Sequence, residues 1–147
     1  MASWGEVRAQ AAELAAAVEE RFAVRKHCTI ATLRADGSPR ISGIEVEIDV
    51  EQVRIGSMLG AVKARDLQRD PRFALHSPTV DPPEDPTAWP GEAKLAGRVV
   101  DIDGRPDAHL WRLDLSEAVL TRIDAEGKGL EIVSWHEGSG TQLRRRS

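Results

Sequence analysis

Apolar residues at Val7, Ala11, Leu14, Val18 and Phe22 follow one another at spacings of four and three, the repeat of a helix with one buried face. In front of them Ser3-Trp4-Gly5-Glu6 has the Ser-x-x-Glu form of a capping box. The pattern therefore predicts an amphipathic first helix that packs across a sheet or plugs the end of a barrel. From residue 27 the period drops to two. Residues 27–33 are β-branched and apolar, Ala35-Asp36-Gly37-Ser38-Pro39 turns the chain, and residues 40–48 return as a second strand, which makes an antiparallel hairpin. Alternation sets Ser42, Ile44, Val46 and Ile48 on one face and Ile41, Gly43, Glu45 and Glu47 on the other, so one face buries while the other meets solvent or a ligand.

A third strand is expected over 53–57, followed by a short helix over 61–69 that Asp70-Pro71 ends. Residues 73–77 read as a fourth strand, and 78–91, with five of the eight prolines, as the one long loop. Residues 92–102 make a fifth strand, 106–113 a short helix, and 116–123 and 130–136 two further strands about the turn at 124–129. Arg144-Arg145-Arg146 reads as a frayed, solvated tail. Six or seven short strands joined mostly by hairpins, with few helices, predict a mainly β, small antiparallel barrel; a doubly wound sheet needs regularly alternating helices.

The 147 residues, 41% of them hydrophobic, suit a single domain over 1–147 and are too few for two of ordinary size. Sixteen Arg against four Lys, 19 Ala and no Tyr reflect a GC-rich coding background, so the arginine excess carries no function by itself. A formal charge of −4 and 4% aromatic residues exclude a general nucleic-acid surface, which needs clustered cations and stacking rings. Cys28 is alone, and no Cys-x-x-Cys or paired histidines offer metal-ligand spacing, so zinc chemistry and an internal disulfide lack support and a reducing compartment fits. Glu13 interrupts the apolar stretch 11–18, which rules out a signal-peptide core or membrane span there. The expectation is a soluble, cytoplasmic protein without membrane or nucleic-acid partners.

Chemistry concentrates where the third strand passes into the short helix, Ile55-Gly56-Ser57-Met58-Leu59-Gly60-Ala61-Val62-Lys63. Glycines let backbone approach a ligand, a helix start presents unpaired N–H groups, and Lys63 and Ser57 add an ammonium and a hydroxyl. Phosphate suits such a corner, although an ordinary strand-to-helix loop with a solvent-facing lysine has the same spacing. It is not a Walker A loop, because Lys63 stands three positions after Gly60 and Ala64 follows it. Arg65, Arg69 and Arg72 either extend a positive patch or form a salt-bridged surface with the interleaved Asp66 and Asp70. His27 and His76 have no Ser or Asp partner at triad spacing. Trp89 and Trp135 either cover a planar ring or pack.

Three segments in this order, Thr29-Ile30-Ala31-Thr32-Leu33-Arg34-Ala35-Asp36-Gly37-Ser38-Pro39-Arg40, Val53-Arg54-Ile55-Gly56-Ser57, and Lys63-Ala64-Arg65-Asp66-Leu67-Gln68-Arg69-Asp70-Pro71-Arg72-Phe73-Ala74-Leu75, resemble the pyridoxamine 5'-phosphate oxidase-like, FMN-binding split-barrel superfamily. Ala93-Lys94-Leu95-Ala96-Gly97-Arg98-Val99 resembles its fifth-strand Gly-Arg/Lys segment, so motifs cover about half the chain. The resemblance implies a homodimer with two cofactor clefts at the subunit interface, each holding FMN or the deazaflavin coenzyme F-420. It also implies hydride transfer to or from a small-molecule substrate stacked on the ring.

Of the family's Ser-Arg-Lys phosphate triplet, here Ala61, Val62 and Lys63, only the lysine carries over. Ser57 matches the flavin-contacting residue before that loop, and Ser42, Gly43, Ile44 and Glu45 match the second-strand positions beside the ring. Basic residues in the pyridoxamine oxidase itself stand where Ser42 and Glu47 stand here, and its C-terminal substrate motif has no clear counterpart after Ser134. Those departures count against pyridoxamine phosphate oxidation and point to F-420, another ligand or lost binding. No residue presents itself as a general acid or base. Two other readings stand beside the oxidoreductase: a non-enzymatic carrier of flavin, deazaflavin or haem, the last with His27 or His76 on iron, and a dimer whose degenerate cleft serves a structural role.

Overall fold

A computed structural model describes residues 1–102 and 105–147. Strands β1 (His27–Leu33), β2 (Pro39–Ile48), β3 (Val53–Met58), β4 (Arg72–His76), β5 (Glu92–Asp101) and β6 (Ala108–Ile123) join antiparallel in the order β3-β2-β1-β4-β5-β6. A further pairing of β3 with β6 closes these six into a barrel. Strands β7 (Leu130–His136) and β8 (Gly140–Arg146) extend the sheet beyond β6. The anticipated β-barrel class is the one observed.

Closure depends on the length of β6. Its first part pairs with β3, from Arg112 opposite Arg54 to Ala108 opposite Met58, and its last part pairs with β7, from Glu117 to Ile123. One strand edge thus serves the barrel and then the sheet outside it. The helix expected at 106–113 does not form there: residues 108–113 belong to β6. Pro106, read as a helix start, instead sits in a tight turn with Asp107. Beyond it Trp111, Leu113 and Leu115 are buried at every second position, a strand period. Residues 144–146 are likewise not a frayed tail. They end β8, where Arg145 lies 3.4 Å from Glu131, itself 2.9 Å from Arg122.

Val7, Ala11, Leu14, Val18 and Phe22 are buried as their spacing predicts, but in two helices, α1 (Trp4–Gln10) and α2 (Ala12–Ala23), rather than one. Ala11 breaks them with φ −143° and ψ 61°. The Ser3 hydroxyl accepts from the Glu6 amide at 3.2 Å, as the capping box requires. Trp4 and Trp135 are fully buried; their indole N–H groups donate to Glu19 at 2.7 Å and Gln10 at 3.0 Å, so Trp135 is a packing residue that ties β7 to α1. Among the described residues no helix is long and apolar enough to cross a membrane.

The inner positions of β1 are Cys28, Ile30 and Thr32, all buried. Burial pushes the Cys28 thiol up to about 11, so it is neutral near pH 8. The folded protein is therefore expected to react with a disulfide reagent at pH 8 far more slowly than denatured protein. A fast burst of one thiol per chain before unfolding would contradict this.

Candidate functional site

Helix α3 (Val62–Arg69) begins just beyond β3. Gly60 takes φ +80°, a left-handed conformation that suits glycine, and lets the chain turn from strand to helix. Ala61 is the N-cap and supplies no side-chain cap, so among the described residues the amides of Val62 and Lys63 have no partner. Lys63 Nζ donates to the Gly43 carbonyl of β2 at 2.7 Å. That bond spans 20 residues of sequence and brings the helix start against the second strand. An ammonium has three N–H donors, so two remain for an anion.

Next along these strands lies a cleft of about 600 Å3, lined by Glu45 and Glu47 from β2, Arg54, Gly56, Ser57 and Met58 from β3, Ala108 and Leu110 from β6, and the cations of Lys26 and Arg105. A Cβ on Gly56 would meet a Leu110 methyl at 3.1 Å and the His109 carbonyl at 3.4 Å, whereas one on Gly43 would meet nothing within 4 Å. The Ser57 hydroxyl donates to the Met58 carbonyl at 3.2 Å. Glu45 lies 3.3 Å from His27, and Arg54 lies 3.6 Å from Glu47; with Lys26 and Arg105, the lining carries three cations against two carboxylates.

The structure thus brings Glu45, Gly56 and Ser57 to one cleft, and Gly43 and Lys63 into contact with each other outside its lining. Gly60 and Ala61 form the turn into α3. Ile44 points inward and is buried in the core, leaving its backbone as the part within reach of a ligand, and Ser42 is half-buried on the same inner face. Val62 is exposed, as are Ile41, Met58 and Leu59, an apolar set around the same corner. Trp89 does not reach out of its loop: its indole N–H donates to the Val80 carbonyl at 2.7 Å. His76 is held on both ring nitrogens, 2.7 Å from the Ser77 carbonyl and 3.4 Å from Glu92.

What anchors α3 is a buried carboxylate. Asp66 points inward, its side chain 3% exposed, and accepts from Thr32 Oγ1 at 2.7 Å, Arg40 Nε at 2.8 Å and Arg69 at 3.0 Å. Burial acts to raise its pKa, but the three hydrogen bonds and the Arg40 charge outweigh burial and hold the carboxyl below the ordinary aspartate value. Of the two readings of the helix charges, Asp66 and Arg69 are paired, as are Asp70 and Arg72 at 2.7 Å, whereas Arg65 makes no side-chain bond among the described residues. The sequence reading missed Arg40. A signal was present: Thr32 is a polar residue on the inward face of β1, and such a residue needs a partner from across the core.

No family model matches the chain. No curated protein matches it either. Solved structures do. A pyridoxamine 5'-phosphate oxidase-related, FMN-binding protein from Nostoc punctiforme superposes with a TM-score of 0.66 at 10% identity, over 93% of this chain and 96% of that one. A heme-binding protein from Mycobacterium smegmatis gives 0.58 at 17% identity, over 88% and 87%. An F-420 reductase gives 0.52 at 18% identity, over 66% and 91%. At these identities the likeness establishes the fold, a split β-barrel shared by proteins whose ligands differ.

Proposed function

We propose that this chain, with the split-barrel fold of the FMN-binding, pyridoxamine 5'-phosphate oxidase-related proteins, is a homodimeric oxidoreductase that uses FMN or F-420. It would transfer hydride between the cofactor and a small molecule, in the cytoplasm. The observation that carries the reading is the Lys63–Gly43 contact, which sets a cation and two free helix amides against β2, the strand whose Glu45 and Glu47 line the cleft.

The residues fit a planar ring with one anionic arm. Gly56 keeps a side chain off the cleft wall, Glu45 and Ser57 line the cleft, and Gly43 lies two residues along β2 from Glu45. Lys63 and the amides of Val62 and Lys63 would take a phosphate, without help from Ala61 or Ser42. When bound, the ring supplies the hydride chemistry; the protein holds its faces and the arm. The exposed Ile41, Met58, Leu59 and Val62 give a second copy an apolar rim to cover, which supports the dimer.

Lys63→Ala should weaken cofactor affinity about tenfold or more, the loss of one charge-assisted contact, with only a small fall in melting temperature because the bond to Gly43 is exposed. Unchanged affinity in a titration removes Lys63 from the site. The first experiment is the visible spectrum and released-ligand mass of protein from its native host, followed by reduction with candidate donors. A flavin or deazaflavin supports the proposal; a Soret band transfers the protein to the haem-binding class, and no chromophore with no affinity for either coenzyme overturns the catalytic reading.

A further inference from the structure

On the other side of α3 lies a second concavity, of about 410 Å3, lined by Arg34, Arg40, Val62, Arg65 and Arg69 with Asp36 and Asp66. Four guanidinium groups face two carboxylates, a surplus of two positive charges on a chain whose formal charge is −4. The two carboxylates are committed already. Asp66 is buried and accepts from Thr32, Arg40 and Arg69, while Asp36 accepts from the Ser38 hydroxyl at 2.6 Å and amide at 2.9 Å. Arg40 and Arg69 are thereby fixed as the back of the groove. Arg34 and Arg65 are not: Arg34 donates only to neutral oxygens of Ser38 and Pro39, at 3.4 and 3.1 Å, and Arg65 is exposed without a side-chain partner among the described residues.

We infer that this groove is a second anion site, for a phosphoryl or pyrophosphoryl group gripped by Arg34 and Arg65 over the Arg40–Asp66–Arg69 brace. Planar guanidinium forks match phosphate oxygens in pairs, and the surplus of positive charge equals what a phosphate dianion brings. The lining holds no aromatic ring on which a base could stack, so the groove is suited to the anion itself and not to a nucleic-acid strand. It meets the Lys63 corner only at Val62, whose side chain lines the groove and whose amide belongs to the corner. Residues two apart on a helix point about 200° from one another, which sends Lys63 to β2 and Arg65 to the groove. Arg65 and Arg69, four apart, share a face. The inference does not depend on the cofactor reading.

The test is calorimetric titration of the whole protein with inorganic pyrophosphate at two salt concentrations. Wild type should bind, more weakly at the higher salt; Arg34→Gln/Arg65→Gln should bind at least tenfold more weakly with an unchanged melting temperature, and Lys94→Ala, an exposed β5 lysine outside both sites, should bind within twofold of wild type. Neither Arg34 nor Arg65 holds Asp66, so the double variant leaves the brace intact. No binding by wild type, equal binding by the double variant, or an equal loss in Lys94→Ala overturns the inference. Repeating the titration on protein saturated with FMN separates the sources: undiminished binding assigns the groove to a second molecule, and competition assigns it to the coenzyme. A chain that binds pyrophosphate but no flavin or deazaflavin keeps this site and loses the catalytic proposal.

Discussion

Asp66→Ala should destabilise the protein by about 3 kcal/mol, because removing one member of a buried charge network strands the others. Thr32, 1% exposed, loses the acceptor for its hydroxyl, and Arg40 and Arg69 lose their shared counter-charge. For a chain of this length the melting temperature should fall by about 10 °C. The effect should depend on pH in a defined direction. The folded-state carboxyl sits below its unfolded value, so its contribution is fully present above the unfolded aspartate pKa of about 4 and is lost as pH falls through the folded value. Thermal melts of wild type and Asp66→Asn should therefore converge in acid. A constant gap between them down to pH 2, or a loss of less than about 1 kcal/mol at pH 7, would show that the network contributes little.

Gly97→Ala should be at least as damaging, for a reason of space. Gly97 lies at the register shift in β5, and a Cβ there would collide with the Asp114 carbonyl of β6, a backbone atom with no rotamer to yield. The expected cost is about 3 kcal/mol, seen as a lower urea midpoint or as failure to accumulate folded chain. Gly43→Ala is the matched control. Its Cβ enters open space, so stability should change by less than about 0.5 kcal/mol, and any drop in coenzyme affinity would then come from the surface beside the Lys63 contact. If Gly97→Ala melts like wild type, the close approach of β5 and β6 relaxes more easily than the geometry implies.

Much of the barrel was legible because burial and period coincide. The five apolar positions of the first helical stretch and the alternating faces of β2 lie where their spacing puts them. The misreadings have physical causes. Ala11 is an ordinary helix former, and nothing local marks the break that packing imposes on it. Pro106 mimicked a helix start, although Trp111, Leu113 and Leu115 already alternated beyond it. Arg144, Arg145 and Arg146 looked like tail because β8 is an edge strand whose stability comes from β7 alone. At the site, the glycine corner and Lys63 were readable as types, but the Gly43 carbonyl that receives the ammonium was not, since only the fold sets β2 beside α3. The Asp66 network was hidden in the same way: its partners stand 34, 26 and 3 residues away, and the nearest suggested a surface ion pair.

The double use of β6 orders the events by which the chain assembles. On a ribosome, β1 to β5 emerge as an open sheet with β3 and β5 as bare edges, and the last seam waits for residues 108–112 to meet 54–58. Because that seam joins positions as distant as Ser57 and His109, its loop-closure entropy makes it slow compared with the hairpins, so the nascent protein passes through a stage with two strand edges open to other chains. Refolding at high protein concentration should therefore lose more product to aggregation than refolding at low concentration, and the loss should cease once residues 54–58 have paired with 108–112.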